Sequence, residues 1–204
     1  VKEDVRAMVT RERAELAELL GTLTEVQWNT ESLCVGWRVR DVAAHLLYEV
    51  TPPLTYALET LRAGGSSDRL NARYVERWRD RPIDELLAAF DTTRRGGFPT
   101  RFAPRIALAD TLIHHQDIRR PLGLHRTVPA PHLLMLLRHP DPFLRPGARM
   151  RGLRFAATDV DWGRGSGPTV EGPGEAIVLA VAGRSAALAD LGGAGVDILR
   201  GRLG

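Results

Sequence analysis

Apolar residues recur at helical spacing from the N-terminus to about residue 120, with glycine and proline as the punctuation, and that pattern commits this part of the chain to helices. Val5, Met8, Leu16, Leu19 and Leu20 mark a first helix over residues 2 to about 20, ended by Gly21. A connector over residues 22–38 carries Trp28 and Trp37. Val39, Val42, Ala43, Leu46 and Leu47 mark a second helix, which Pro52-Pro53 kinks or breaks before a further helical stretch to about Arg62. Residues 64–67, Gly-Gly-Ser-Ser, form a turn, and Asp68 is the expected N-cap of a helix through Trp78. Pro82 opens a helix reaching Thr93, closed by Gly96-Gly97. Pro104 opens the next, which stops at Pro121 and Gly123. Four main helices make a bundle, and bundle interiors commonly hold metal sites built from facing helices.

The pattern changes after Gly123. Prolines crowd the stretch from Pro121 to Pro146 around one short apolar helix at residues 131–138, which reads as a linker over residues 126–150. Leu153, Phe155 and Ala157 then alternate with Arg154 and Ala156, the period of a strand. Residues 163–167 read as a tight glycine loop, Val170 as one end of a second short strand, and residues 175–182 as a strongly apolar helix. Short turns or helices run on to Leu203. The expected organisation is a bundle over residues 1–125, the linker, and a small α/β domain over residues 151–204. So small a domain should pack on the bundle and leave a cleft beside it.

Chemistry concentrates in one run, Ala109-Asp-Thr-Leu-Ile-His-His-Gln-Asp117. Asp110 and His114 stand four apart on a helix, so both can aim at one point. An open, catalytic-type divalent metal site needs three protein ligands, and His45 on a separate apolar helix is the candidate for the third. His115 is turned about 100° away from His114 and should not reach the same ion. Asp117 lies near the face of His114, either fixing its imidazole tautomer or pairing with Arg40, Arg119 or Arg120. His125, His132 and His139 have no ligand spacing and are expected at the surface. Asp159, Asp161 and Trp162 fit a turn that caps a strand and buries an indole. Arg164 and Arg184 are candidates to hold a substrate carboxylate by a two-pronged contact.

Composition narrows the alternatives. The net charge of +3 invites a nucleic-acid reading, but all the basic residues except Lys2 are arginines, interleaved with 25 acids rather than massed in a stripe. No segment has the apolar length of a membrane span. The one cysteine, Cys34, excludes an intramolecular disulfide, suits a reducing cytoplasm, and reads as a small, partly buried residue rather than a nucleophile.

The motifs together resemble a known family. Trp37-Arg-Val-Arg-Asp-Val-Ala-Ala-His45 is similar to the second-helix motif of the DinB-like metal-binding bundles. Ile113-His-His-Gln-Asp-Ile-Arg-Arg-Pro-Leu-Gly123 looks like the third-ligand helix of the mycothiol-dependent maleylpyruvate isomerases within that superfamily. The runs Ala157-Thr-Asp-Val-Asp-Trp162, Gly167-Pro-Thr-Val-Glu-Gly-Pro-Gly-Glu175 and Ala182-Gly-Arg-Ser185 fit the same branch, so the resemblance spans nearly the whole chain in order. It implies a mainly α protein, a DinB-like four-helix bundle followed by a small α/β domain, with metal ligands at His45, Asp110 and His114. Two imidazoles, one carboxylate and an open position suit zinc first, with nickel, iron and manganese also compatible. Where the family usually has glutamate this chain has Asp110, one methylene shorter, which reaches an ion only if its helix sits closer or a water bridges the gap.

The resemblance further implies a metal-bound mycothiol thiolate as nucleophile. Such a thiolate adds to an activated double bond and leaves after rotation in an isomerase, or stays attached in a transferase. The implied partners are a small-molecule thiol and a small electrophilic or carboxylate substrate. The competing expectation is a metal-binding or ligand-sensing protein of the same fold without catalysis.

Overall fold

The computed structural model describes residues 4–203; residues 1–3, where the first expected helix would begin, lie outside them. The chain divides into two compact units, residues 1–125 and 126–204. Among the described residues no helix is long and apolar enough to cross a membrane.

The first unit is helical. Helix α1 (Val5–Thr22) starts where the Asp4 side chain accepts the Arg6 N–H, and it runs one residue past Gly21. The connector holds a four-residue helix, α2 (Glu25–Trp28), opened by a capping box between Thr24 and Gln27, with Trp28 buried at its end. Helix α3 (Val39–His45) begins where Asp41 reaches back to accept the Arg38 backbone N–H at 2.9 Å. Beyond His45 the chain tightens into a 3-10 turn, Leu46–Val50. The Pro-Pro pair then forces Thr51 into an extended conformation (ψ 127°) before α4 (Pro53–Arg62).

Helix α5 (Ser67–Trp78) is capped by Ser66, whose side chain accepts the Arg69 N–H, and not by Asp68. The helix begins two residues earlier than expected, so Asp68 falls in its first turn, where a carboxylate favours the helix dipole instead. Pro82 precedes α6 (Ile83–Asp91). A five-residue helix, α7 (Phe98–Phe102), follows the Gly96-Gly97 pair, and α8 (Pro104–Arg119) completes the unit. Gly97 is more than a helix stop. A Cβ there would fall 2.0 Å from the Glu49 carbonyl oxygen, and its N–H donates to the buried Glu49 carboxylate at 2.7 Å.

Helix α8 is the centre of this unit. It packs along α1 and meets α3 and α7, so every residue from Ala107 to Ile118 except Asp110 is buried. A core of Leu16, Leu20, Trp28, Val42, Leu46, Leu86, Phe90 and Ile118 surrounds it. A helix buried on nearly all sides must satisfy its polar side chains internally. The buried ones are Thr111, His114, His115, Gln116 and Asp117, the last four being the signature run.

The second unit includes residues 126–150, which carry structure of their own. Helix α9 (Ala130–Arg138) packs against a later apolar helix, and a single turn, Pro142–Leu144, leads into α10 (Pro146–Met150). His132 is completely buried, against the expectation of a surface position. It shares the face of Leu133, Leu136 and Leu137 that packs inward, and spacing on a short helix does not show which face that is. His125 and His139 are exposed.

Three strands follow: β1 (Arg154–Ala157), β2 (Gly163–Gly165) and β3 (Thr169–Gly172), in the order β2-β1-β3, with β1 antiparallel to β2 and parallel to β3. The segment expected as a glycine loop is therefore partly strand. Gly165 pairs with Arg154, at φ 87°, where a Cβ would meet the Leu153 carbonyl oxygen at 2.2 Å. Glycine at this position serves close backbone approach rather than a turn. The apolar helix α11 (Gly174–Val181) covers β1 and β3 and is buried along its length apart from Glu175, which is partly exposed. A 3-10 segment, Ser185–Asp190, and α12 (Val196–Arg200) finish the chain.

Candidate metal centre

The structure brings His45, Asp110 and His114 together. Asp110 Oδ1 lies 3.5 Å from His45 Nε2 and 3.4 Å from His114 Nε2, and one ligand atom from each of the three residues lies within 4.8 Å of the others. Two ligands at 2.0–2.2 Å from a tetrahedral ion are about 3.3–3.6 Å apart. The carboxylate therefore stands from each imidazole at the separation that zinc-type coordination sets, so these residues fit the metal the resemblance implies. The direct packing of α3 on α8 brings the shorter aspartate side chain to His45.

Each imidazole is held differently. His114 Nδ1 is 2.8 Å from the fully buried Asp117 carboxylate, the arrangement in which a carboxylate fixes the tautomer and leaves Nε2 free to ligate. Asp117 thus stands where the first of its two expected roles requires. His45 Nδ1 is buried with no hydrogen-bond partner among the described residues, so packing orients this ring instead. Trp37 supplies that packing, with its ring 5.4 Å from His45 and 6.5 Å from His114 in a stacked arrangement. His115 points away and meets Glu12 at 3.3 Å, with both side chains fully buried.

Three further residues belong to the centre without any signal in the spacing of ligands. Tyr48 donates from its hydroxyl to Asp110 Oδ2 at 2.8 Å. Its place three residues after His45, on the turn that continues α3, was the only available hint, since i and i+3 eclipse in a 3-10 segment. Cys34 is half-buried as expected, but its thiol donates to Asp117 at 3.1 Å and lies 3.6 Å from His114 Nδ1. Arg13, completely buried, donates to the Leu46 carbonyl at 2.8 Å, Thr111 Oγ1 at 3.1 Å and the Thr93 carbonyl at 3.0 Å. Leu46 follows His45 and Thr111 follows Asp110, so one guanidinium braces both ligand-bearing segments.

Arg164 is exposed on β2, and Arg184 donates to the Ala182 carbonyl at 3.1 Å; both lie in the second unit. Asp159 accepts the Gly174 N–H at 2.7 Å where α11 begins, so it caps a helix, and the Trp162 indole is half-buried.

Burial and charge set the protonation of the metal-free centre. Burial acts to raise the Asp110 carboxyl, but His114 and His45 outweigh it and hold it well below the usual carboxylate range. Burial acts to lower His114, but Asp110, Asp117 and Cys34 outweigh it and raise it well above an ordinary histidine. His45 is lowered by burial, which Asp110 only partly offsets. Burial, with Asp110 and Glu49, pushes the Tyr48 phenol well up, so it stays a donor.

An ion on His114 Nε2 must displace a proton held more tightly than usual. Zinc affinity should therefore climb by about tenfold per pH unit through neutrality. Titration with a competing chelator at stepped pH reads this directly, and affinity already flat from pH 6.5 upward would contradict it.

Comparison with known proteins agrees with the motifs. Residues 9–96 match the family described as mycothiol maleylpyruvate isomerase N-terminal domain, a stretch that contains His45 and Tyr48 and ends before Asp110. A crystal structure of a histidine-to-alanine mutant of the mycothiol-dependent maleylpyruvate isomerase is similar with a TM-score of 0.66 at 15% identity, over 93% of this chain and 91% of that one. A second structure of the mycothiol-dependent maleylpyruvate isomerase gives a TM-score of 0.62 at 15% identity, over 88% of each chain. At that identity the likeness is one of fold. No curated protein sequence matches. The family resemblance read from the motifs and the mainly α fold with a small α/β part are both borne out.

Proposed function

We propose that this protein is a metal-dependent enzyme that uses a small-molecule thiol, mycothiol by family resemblance, in an isomerisation or thiol transfer. The observation that carries the reading is the pair of 3.4 and 3.5 Å separations between Asp110 and the two imidazoles. His45, Asp110 and His114 would hold the ion, zinc by the chemistry of the donor set, and leave one position open. A bound ion would stabilise a small thiol as its thiolate at neutral pH.

The chain's own groups prepare that position. Asp117 holds the His114 tautomer, Tyr48 and the two imidazoles orient Asp110, and the Trp37 ring walls one side against water. No protein thiol is required, since Cys34 already engages Asp117. A small electrophilic or carboxylate substrate and a cytoplasmic setting complete the proposal.

One observation favours a second reading, a metal-binding or ligand-sensing protein without catalysis. The carboxylate ligand is the shorter aspartate, already engaged by Tyr48. Chelator treatment, zinc reloading and assay with mycothiol and maleylpyruvate separate the two. Zinc binding with thiol-dependent turnover supports the enzyme, zinc binding without turnover supports the second reading, and no binding removes both. Bound zinc at a thousandfold excess over Kd should add about 4 kcal/mol to unfolding stability, read as a chelator-sensitive melting temperature.

A further inference from the structure

We infer that Tyr48 is a positioning residue for the metal centre, tying one oxygen of Asp110 so that the other serves as a single-point ligand. This rests on the metal-holding reading above. The two oxygens of Asp110 face different partners. Oδ1 looks at both imidazole Nε2 atoms, at 3.5 and 3.4 Å, while Oδ2 accepts the Tyr48 hydroxyl at 2.8 Å. An aspartate carboxylate turns readily about its last bond, and without a partner for Oδ2 it could swing that oxygen toward the ion or rotate Oδ1 out of line.

Tyr48 is well placed to prevent this. Its ring packs on the His45 ring, with centroids 5.4 Å apart, and it sits on the 3-10 turn that leaves His45. The same segment thus supplies a ligand and the group that aims the neighbouring ligand. Hydrogen-bond partners of metal ligands typically contribute about 10–100-fold to affinity.

The experiment measures zinc affinity of the full chain by competition with a chromophoric chelator, for the unmodified protein, Tyr48→Phe, Asp110→Glu and the double variant. Tyr48→Phe removes one oxygen and keeps the ring on His45, so its metal-free form should unfold close to the parent's temperature while zinc binds about tenfold more weakly. In the Asp110→Glu background the carboxylate is carried one methylene outward and the tyrosine no longer sits where it aims that group, so the loss should vanish or reverse. A purely structural tyrosine would give the same loss in both backgrounds, and that result, or no loss in either, overturns the inference.

A zinc-induced infrared difference spectrum of the unmodified protein supplies a second test that needs no variant. One-oxygen binding widens the gap between the two carboxylate stretches, and a narrowed gap, the mark of two-oxygen chelation, overturns the proposal. If the unmodified protein binds no zinc, the metal reading falls and takes this one with it. If it binds zinc and Tyr48→Phe binds equally, only this inference falls.

Discussion

Replacing His114 with alanine should cost this protein its metal and its thiol chemistry together. The substitution removes one of three protein ligands and leaves Asp110 and the fully buried Asp117 without the imidazole they share. The affinity loss should exceed the roughly 10–100-fold expected from losing an outer partner, which is the loss predicted for Asp117→Asn. Cys34→Ser is the contrasting control. A serine hydroxyl can still donate toward Asp117, so zinc affinity and turnover should stay near those of the parent. Zinc content after dialysis and the chelator-competition constant check all three variants. His114→Ala retaining zinc at parental affinity would mean that the ion, if any, sits elsewhere.

The second large effect lies at Arg13, outside the ligand set. Its guanidinium is completely buried and makes three hydrogen bonds, to the Leu46 and Thr93 carbonyls and to Thr111 Oγ1. Burial lowers its pKa, and Glu49, Tyr48 and Asp110 only partly offset that. Arg13→Met keeps much of the volume but leaves two buried carbonyls without these donors and Glu49 without its countercharge. Breaking a buried charged network in this way typically costs about 3–5 kcal/mol. Urea unfolding of the metal-free protein measures it, and a loss under about 1 kcal/mol would show that the surrounding polar groups re-pair without the arginine. Zinc affinity of the folded variant should fall as well, because the residues after His45 and Asp110 lose a common brace.

The legibility of the metal centre in the chain was uneven for physical reasons. Asp110 and His114 sit on one continuous helix, where a spacing of four fixes a common face whatever the rest of the molecule does. His45 was recognisable only through the motif around it, because no local rule brings two distant helices together. Asp117 was legible as a neighbour of His114, while the 2.8 Å contact with its imidazole depended on what packs around α8. Tyr48 and Arg13 carried no pattern of their own, and Trp37 entered only as the first residue of the motif around His45. Each acts across elements, and a tyrosine after a helix or an arginine on one reads as ordinary until its contact is known.

The same division runs through the fold. Helical periodicity and proline-glycine punctuation are local properties, so the sequence by itself determined the longer helices of the first unit, the break at Pro52-Pro53, and the β1 and α11 segments of the second. Only the tertiary structure decided that Ser66 rather than Asp68 caps α5, since both residue types can cap and the register of the turn selects between them. It also decided that glycines 163 and 165 form a strand rather than a loop, because backbone proximity and a turn ask for the same residue. The burial of His132, and of the whole signature run on α8, followed from which faces found neighbours. Above all, the sequence named three candidate ligands, and only the packing of α3 on α8 brings His45 within 3.5 Å of the Asp110 carboxylate.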